Sequence, residues 1–345
     1  MDLVSVVIPA YNAAAFVENT INTILAQTYK DFEIVVVNDG STDNTLEILE
    51  RLAKKDSRIN VISQENGGVS AARNTALKAV KGKYITYVDA DDSVPENAIE
   101  TLVSLMDDDV DFVVCSHNEV RFGMKPHIEK AAVYSADELD ECFIEFDSVI
   151  WWPWGKLFRT SIIKDNNLTY DTSITFGEDH IFNLLYAKHI KNKVVVSEKI
   201  AYNYHYIRGG LCSKFYPSMH EMQKYVYIKI ADYFGGVESI PRAYHIYYVG
   251  AYLKGNVDYY LAWLPFNKGV ELVRESFDVY DDLLDDEVLN EFFTPKQIEL
   301  IKKGDFKAFC RNYIKENPKK TLWRKVRRTV RRFLEMLQKI FLKRA

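Results

Sequence analysis

A chain of 345 residues has room for one large domain or a main domain with a smaller addition, and its composition is that of a soluble globular protein with a surplus of Tyr and Phe. Cys115, Cys142, Cys212 and Cys310 are dispersed and form no CxxC pair, which argues against a disulfide framework or a zinc site and fits a reducing cytosol. The net charge of −5 hides an asymmetry: residues 319–345 hold 11 of the 44 Lys and Arg against Glu335 alone, so the rest of the chain is strongly acidic.

The N-terminal apolar run, residues 3–8 before Pro9, is too short and wrongly flanked for a signal peptide. No apolar stretch approaches the roughly 20 residues a bilayer span needs. Five β-rich runs follow one another: LVSVVI at 3–8, FEIVVV at 32–37, INVI at 59–62, YITYV at 84–88 and DFVVCS at 111–116. Between them lie helical patterns, such as Phe16, Ile21, Ile24 and Leu25, then Leu46, Ile48, Leu49 and Leu52. Strand and helix in turn predict an α/β fold, a mostly parallel sheet with helices on both faces and the ligand site at the carboxyl ends of its strands.

Those strand ends carry the chemistry. The first exits into PAYN (9–12), the second into NDGSTD (38–43), the third into SQENGGVSAARN (63–74) and the fourth into DADD (89–92). DADD reads as a turn and helix cap before Pro95, or as two carboxylates, Asp89 and Asp91, sharing a face where strand geometry persists and holding a divalent ion with phosphate oxygens. In NDGSTD, Ser41, Thr42 or Asp43 would cap a helix at 44–55, leaving Asp39 at the strand tip to accept a base N–H or a ribose hydroxyl. Arg73 would lie in the first turns of the helix after NGG, where it and the helix N-terminus would favour an anion.

Residues 117–216 read as a mixed region containing WWPWGKLFR (151–159), FGEDHIFNLLYA (176–187) and YNYHYIRGGLCS (202–213). Glu178 and Asp179 either stabilise the start of a helix or supply a general base, and His180 reads as structural. Beyond residue 216 the pattern is helical over 225–234, 244–260 and 295–314, with breaks at FGG and TP. The expected organisation is a main α/β domain at 1–216, a helical region at 217–318 and a basic amphipathic helix at 319–345. In that tail Leu322, Trp323, Val326, Val330, Phe333, Leu334, Leu337, Ile340 and Phe341 form one stripe opposite Arg and Lys. The stripe suits an anionic membrane surface, with a partner groove or oligomer contact as the rival; nucleic acid is disfavoured by the acidic body.

Taken in order, VSVVIPAYN, VVVNDGSTD, NGGVSAARN, YVDADD, WGKLFR and GED resemble the family 2 inverting glycosyltransferases, nucleotide-sugar enzymes of the Rossmann-like GT-A fold that build bacterial polysaccharides. The resemblance covers roughly residues 3–213. It implies a nucleotide-sugar pocket of Pro9, Tyr11, Asp39, Arg73, Asp89, Ala90 and Asp91, with Asp39 reading the base, Asp89 on the ribose and Asp91 on a Mn²⁺ or Mg²⁺ ion. It implies Asp179 as the catalytic base, with Glu178, Trp154 and Lys156 on the acceptor side. In YHYIRGGLCS, either His205 completes the metal site or Arg208 alone meets the phosphates.

The activity so implied is metal-dependent transfer of a sugar from a nucleoside diphosphate, UDP by resemblance, to a glycan or lipid-linked acceptor at the inner face of the cell membrane. A nucleotidyltransferase would also place metal-bound phosphates at the end of a parallel sheet. A non-catalytic sugar-nucleotide or membrane-binding scaffold is the alternative outside the enzymes.

Overall fold

The apolar run that opens the chain becomes β1 (Val4–Ala10), buried along almost its whole length, as a strand covered on both faces must be. The computed structural model of the protein describes residues 2–120, 128–206 and 215–317. Two compact units divide the chain, Met1–Lys214 and Phe215–Ala345.

In the first unit β1 lies between β2 (Phe32–Asp39) and β4 (Tyr84–Tyr87), parallel to both, and β3 (Ile59–Gln64) pairs in parallel with β2. Beyond β4 the order continues through β7 (Lys156–Arg159), β5 (Val110–Glu119), β8 (Lys193–Tyr204) and β6 (Ala132–Ser135), giving an eight-stranded sheet ordered 3-2-1-4-7-5-8-6. β7 runs antiparallel to both its neighbours and β6 antiparallel to β8, while β5 and β8 are parallel. The expected mostly parallel α/β sheet is present, and its strand order reverses between β1 and β4.

Alternation sets the two faces. Val4, Val6, Ile8, Ile34 and Val36 pack with α1 (Val17–Leu25), α2 (Thr45–Ala53) and α4 (Ala98–Ser104) in one core. Val7, Val35 and Val37 are equally buried on the other face, and α3 (Val69–Ala79) packs across β1 and β2. The remaining helices of this unit are α5 (Leu139–Glu145), α6 (Asp147–Ile150), α7 (Thr160–Asp165) and α8 (Glu178–Ala187).

The second unit is helical, as the sequence predicts: α9 (Met219–Phe234), α10 (Arg242–Trp263), α11 (Phe266–Val279), α12 (Asp286–Phe292), α13 (Pro295–Lys302) and α14 (Phe306–Glu316). The single helical stretch expected over 295–314 is two helices. Gly304 turns the chain at φ +69, and the Asp305 carboxylate accepts from Ala308 N to start the next helix. Among the described residues no helix is long and apolar enough to cross a membrane. The basic tail at 319–345 and Arg208 lie outside the described residues.

Candidate functional site

The first three loops at the carboxyl edge are stitched together. Asn12 Oδ1 accepts from Thr42 N (2.8 Å), and Asn12 N donates to Ser41 Oγ. Asp43 accepts from Ala14 N through one oxygen and from Thr45 N through the other, so it both starts α2 and holds the β1–α1 loop. Asp39 is 3% exposed, and its carboxylate accepts from Gln64 Nε2 (2.7 Å), Gly67 N (2.9 Å) and Gly68 N (2.8 Å). The strand-tip carboxylate expected to read a base therefore also organises the β3–α3 loop. Gly40, at φ +67, allows that approach, since a Cβ there would sit 2.7 Å from Asn66 N. Pro9 is half-buried, and Tyr11 presents an exposed ring beside these loops.

The fourth strand end shows a turn and a charge cluster at once. β4 stops at Tyr87, and Asp92 N donates to Asp89 O, so Asp89 and Asp91 do not continue strand alternation and the face-sharing expected from it is not how they come together. Ala90 is buried, and its carbonyl and that of Asp92 both lie within hydrogen-bond reach of Thr20 Oγ1. Burial and the neighbouring Asp89 carboxylate push Asp91 up to about 6. Among the described residues no cationic side chain pairs with Asp91. Nor does any group of three or more His, Cys, Asp or Glu side chains gather there to hold a metal. An unneutralised carboxylate beside a second one suits a divalent ion that takes its other positions from phosphate oxygens and water.

Asp92 turns the other way, and sequence reasoning gave it no role. It is buried, accepts from Tyr202 Oη (2.6 Å) and His205 N (2.6 Å), and is pushed up to about 8 by burial and then by Asp89. Tyr202 Oη also accepts from Asp89 N (3.1 Å), and Ser93 pairs through its backbone with Asn203. The end of β8 is thereby fastened to the acidic turn. His205, one of the two alternatives for completing the metal site, lies beside this turn with its Nε2 engaged by Ser93 Oγ at 2.8 Å.

Arg73 links this turn to α8. Its guanidinium, 3% exposed, sits 2.6 Å from Asp179 Oδ1, 3.3 Å from Asp89 Oδ1 and 3.6 Å from Glu178 Oε1. Burial alone would lower its pKa, but Asp179 and Asp89 outweigh that and keep it firmly charged. The anion expected near Arg73 is thus supplied by the protein itself. Asp179 is held well above the usual carboxylate range by burial, reinforced by Glu178 and Asp89 and opposed by Arg73. Tyr170 lies under the guanidinium at 5.3 Å and stacks on Phe182 of α8.

The loop before β7 completes the neighbourhood. Lys156 is buried, not presented to an acceptor: its Nζ donates to Val149 O (2.7 Å) and Trp154 O (3.3 Å), and burial lowers it to about 7. Trp154 is also buried, stacked on Tyr202 at 4.4 Å. His180 is buried against Trp151, which agrees with its structural reading, and burial takes it down to about 3.

Comparison with known proteins bears on this arrangement. The family described as Glycosyl transferase family 2 matches residues 5–177, from β1 to the residue before Glu178. The glycosyltransferase EpsJ of Bacillus subtilis (strain 168), itself described as uncharacterized, is 37% identical over 240 residues, 67% of this chain and 70% of EpsJ. A poly(ribitol-phosphate) beta-glucosyltransferase of Bacillus spizizenii is 30% identical over 249 residues, 70% of this chain but 36% of that protein. Among solved structures, residues 1–349 of TarS from S. aureus, crystallised with UDP-GlcNAc, superpose with a TM-score of 0.69 at 20% identity, covering 92% of each chain. That superposition shares the GT-A fold, and the sequence matches reach across the loops that hold Asp39, Arg73 and Asp91: the chain belongs to glycosyl transferase family 2.

Proposed function

We propose that the protein is an inverting glycosyltransferase that moves a sugar from a nucleoside-diphosphate sugar to a hydroxyl of a glycan or lipid-linked acceptor. The observation that carries this reading is the guanidinium of Arg73 spanning Asp89, at the end of β4, and Asp179, at the start of α8. One carboxylate belongs to the edge where family members take their donor, the other to a segment that follows Arg73 by 106 residues in sequence. A donor-side group and a half-buried candidate base are thereby held at a fixed separation, as a single in-line displacement requires.

In the proposed reaction the acceptor oxygen forms a bond to the anomeric carbon as the bond to the diphosphate oxygen breaks, and the electron pair leaves with the nucleoside diphosphate. Asp179 takes the acceptor proton. Arg73 fixes Oδ1 of that carboxylate, and Oδ2 receives no bond among the described residues, so it is the oxygen turned over to the proton. Asp39, Tyr11 and Pro9 border the base and ribose, with Gly67 and Gly68 positioned through Asp39. Asp91 would hold Mn²⁺ or Mg²⁺, whose charge would offset the negative charge gathering on the leaving diphosphate. UDP is the proposed nucleotide, supported by the ligand of TarS. Cell-surface polysaccharide synthesis is the proposed setting, supported by the poly(ribitol-phosphate) relative.

The test is incubation with Mn²⁺ and a panel of UDP-, GDP- and dTDP-sugars without acceptor. Slow release of one nucleoside diphosphate is expected, lost in Asp91→Ala. Pyrophosphate release from a nucleoside triphosphate would instead mark a nucleotidyltransferase, and failure of every donor to bind would refute the reading. We further propose that residues 319–345 bind an anionic membrane surface through their apolar stripe and basic face. Deleting them should abolish cosedimentation with phosphatidylserine vesicles, and undiminished binding would discard the idea.

A further inference from the structure

The exposed aromatic surface of the first unit includes one indole that neither the donor pocket nor the base accounts for. Trp152 is 37% exposed, in a loop where Trp154 is buried and Trp151 half-buried. Its ring is parallel to that of Trp154, 2° apart in plane with centroids at 5.7 Å, and Trp154 is in turn parallel to Tyr202 within 4° at 4.4 Å. Tyr202 ends the stack at the acidic turn, bonded to Asp92 and to Asp89 N. Three rings therefore run outward from the donor carboxylates to the surface. The inner two fix the plane of the outermost, which cannot turn without unstacking.

The backbone of the same loop is also fastened to α8. Asn183 Nδ2 donates to Trp152 O at 3.0 Å and also bonds Ile150 O. Asn183 follows Asp179 by four positions on α8, so the two project from the same face about one turn, ~5.4 Å, apart. Trp151, the next residue back, lies flat on His180. The loop carrying Trp152 is thus clamped to the helix that begins with the candidate base.

An exposed indole face held rigid by stacking is a surface for a flat apolar partner. A pyranose offers one: the face bearing axial C–H groups is apolar while its rim carries hydroxyls. Resting on the glycosyltransferase reading above, we propose that Trp152 is a platform for a pyranose ring of the acceptor, seated next to the sugar whose hydroxyl faces Asp179. The acceptor would then be a glycan, and a bare lipid alcohol or a simple polyol would leave the platform unused. Trp154, the aromatic residue expected on the acceptor side, supports this ring from beneath.

The test separates the two readings. Donor binding by the wild-type protein is measured first, as the thermal shift given by UDP-sugars with Mn²⁺; absence of any shift would remove the glycosyltransferase reading and this proposal with it. With the donor product UDP bound, saturation-transfer NMR is then run on methyl pyranosides of glucose, galactose, mannose and N-acetylglucosamine. At least one should receive saturation on the C–H protons of a single ring face. Trp152→Ala should reduce that signal at least several-fold, and Trp152→Phe, which keeps an aromatic face, should restore most of it, both variants melting cooperatively. Glycerol and ribitol should show no transfer. If UDP binds and no pyranoside is saturated, or if the signal is the same in Trp152→Ala, the platform does not exist.

Discussion

Asp179→Asn should bind the donor and fail to transfer, with a loss of roughly 100- to 10,000-fold in turnover, the usual contribution of a positioned base. The amide keeps the size of the carboxylate and can still accept from Arg73 through its oxygen, so the ion pair is weakened without opening a cavity. Burial raises Asp179, and Glu178 and Asp89 add to the shift. Its ionised form is therefore lost as pH falls at values above the ordinary carboxylate range. Wild-type transfer should show an acid limb displaced upward to match, measured as kcat/KM against pH. Unchanged transfer by Asp179→Asn would remove Asp179 as the base.

Arg73→Met should be the most destabilising single change at the site. The guanidinium neutralises Asp89 and Asp179 and lies near Glu178, and replacing it leaves those carboxylates facing one another without their cation. Breaking a buried pair on one side costs about 3–5 kcal/mol. The pH dependence gives the sign. Without Arg73 the native-state pKa of Asp179 rises still further above its unfolded value, so the folded protein binds more protons than the unfolded one and stability declines as pH rises. The deficit against wild type, read by urea unfolding, should be largest near pH 8 and shrink toward pH 5. A pH-independent deficit would mean lost packing on Tyr170 in place of unbalanced charge.

Much of the carboxyl edge of the sheet is legible in the sequence because it is written locally. A β-branched run that ends in Asp, Gly or Asn marks a strand tip, and four such tips in a parallel sheet must converge. Asp39, Asp89 and Asp91 are readable for that reason. The roles of Asp92 and Tyr202 are not, because their partners lie far away in the chain: the bond from Tyr202 to Asp92 spans 110 residues. Lys156 shows the opposite failure. The family resemblance implies a place on the acceptor side, whereas the short strand β7 turns it inward to backbone carbonyls. Sequence identifies a cation but not the direction in which it points, and β7, antiparallel and four residues long, carries no pattern strong enough to tell.

The cross-links among the first three loops bear on how such proteins can be re-engineered. Asn12 holds Thr42, Asp43 holds Ala14, and Asp39 holds Gly67 and Gly68, so each loop is folded partly by side chains of another. Grafting one of them from a relative with different partners strands backbone donors on both sides of the seam. The transplantable module is the set of residues 9–14, 38–45 and 64–68 moved together, and libraries meant to test the proposed donor pocket are best built on that block.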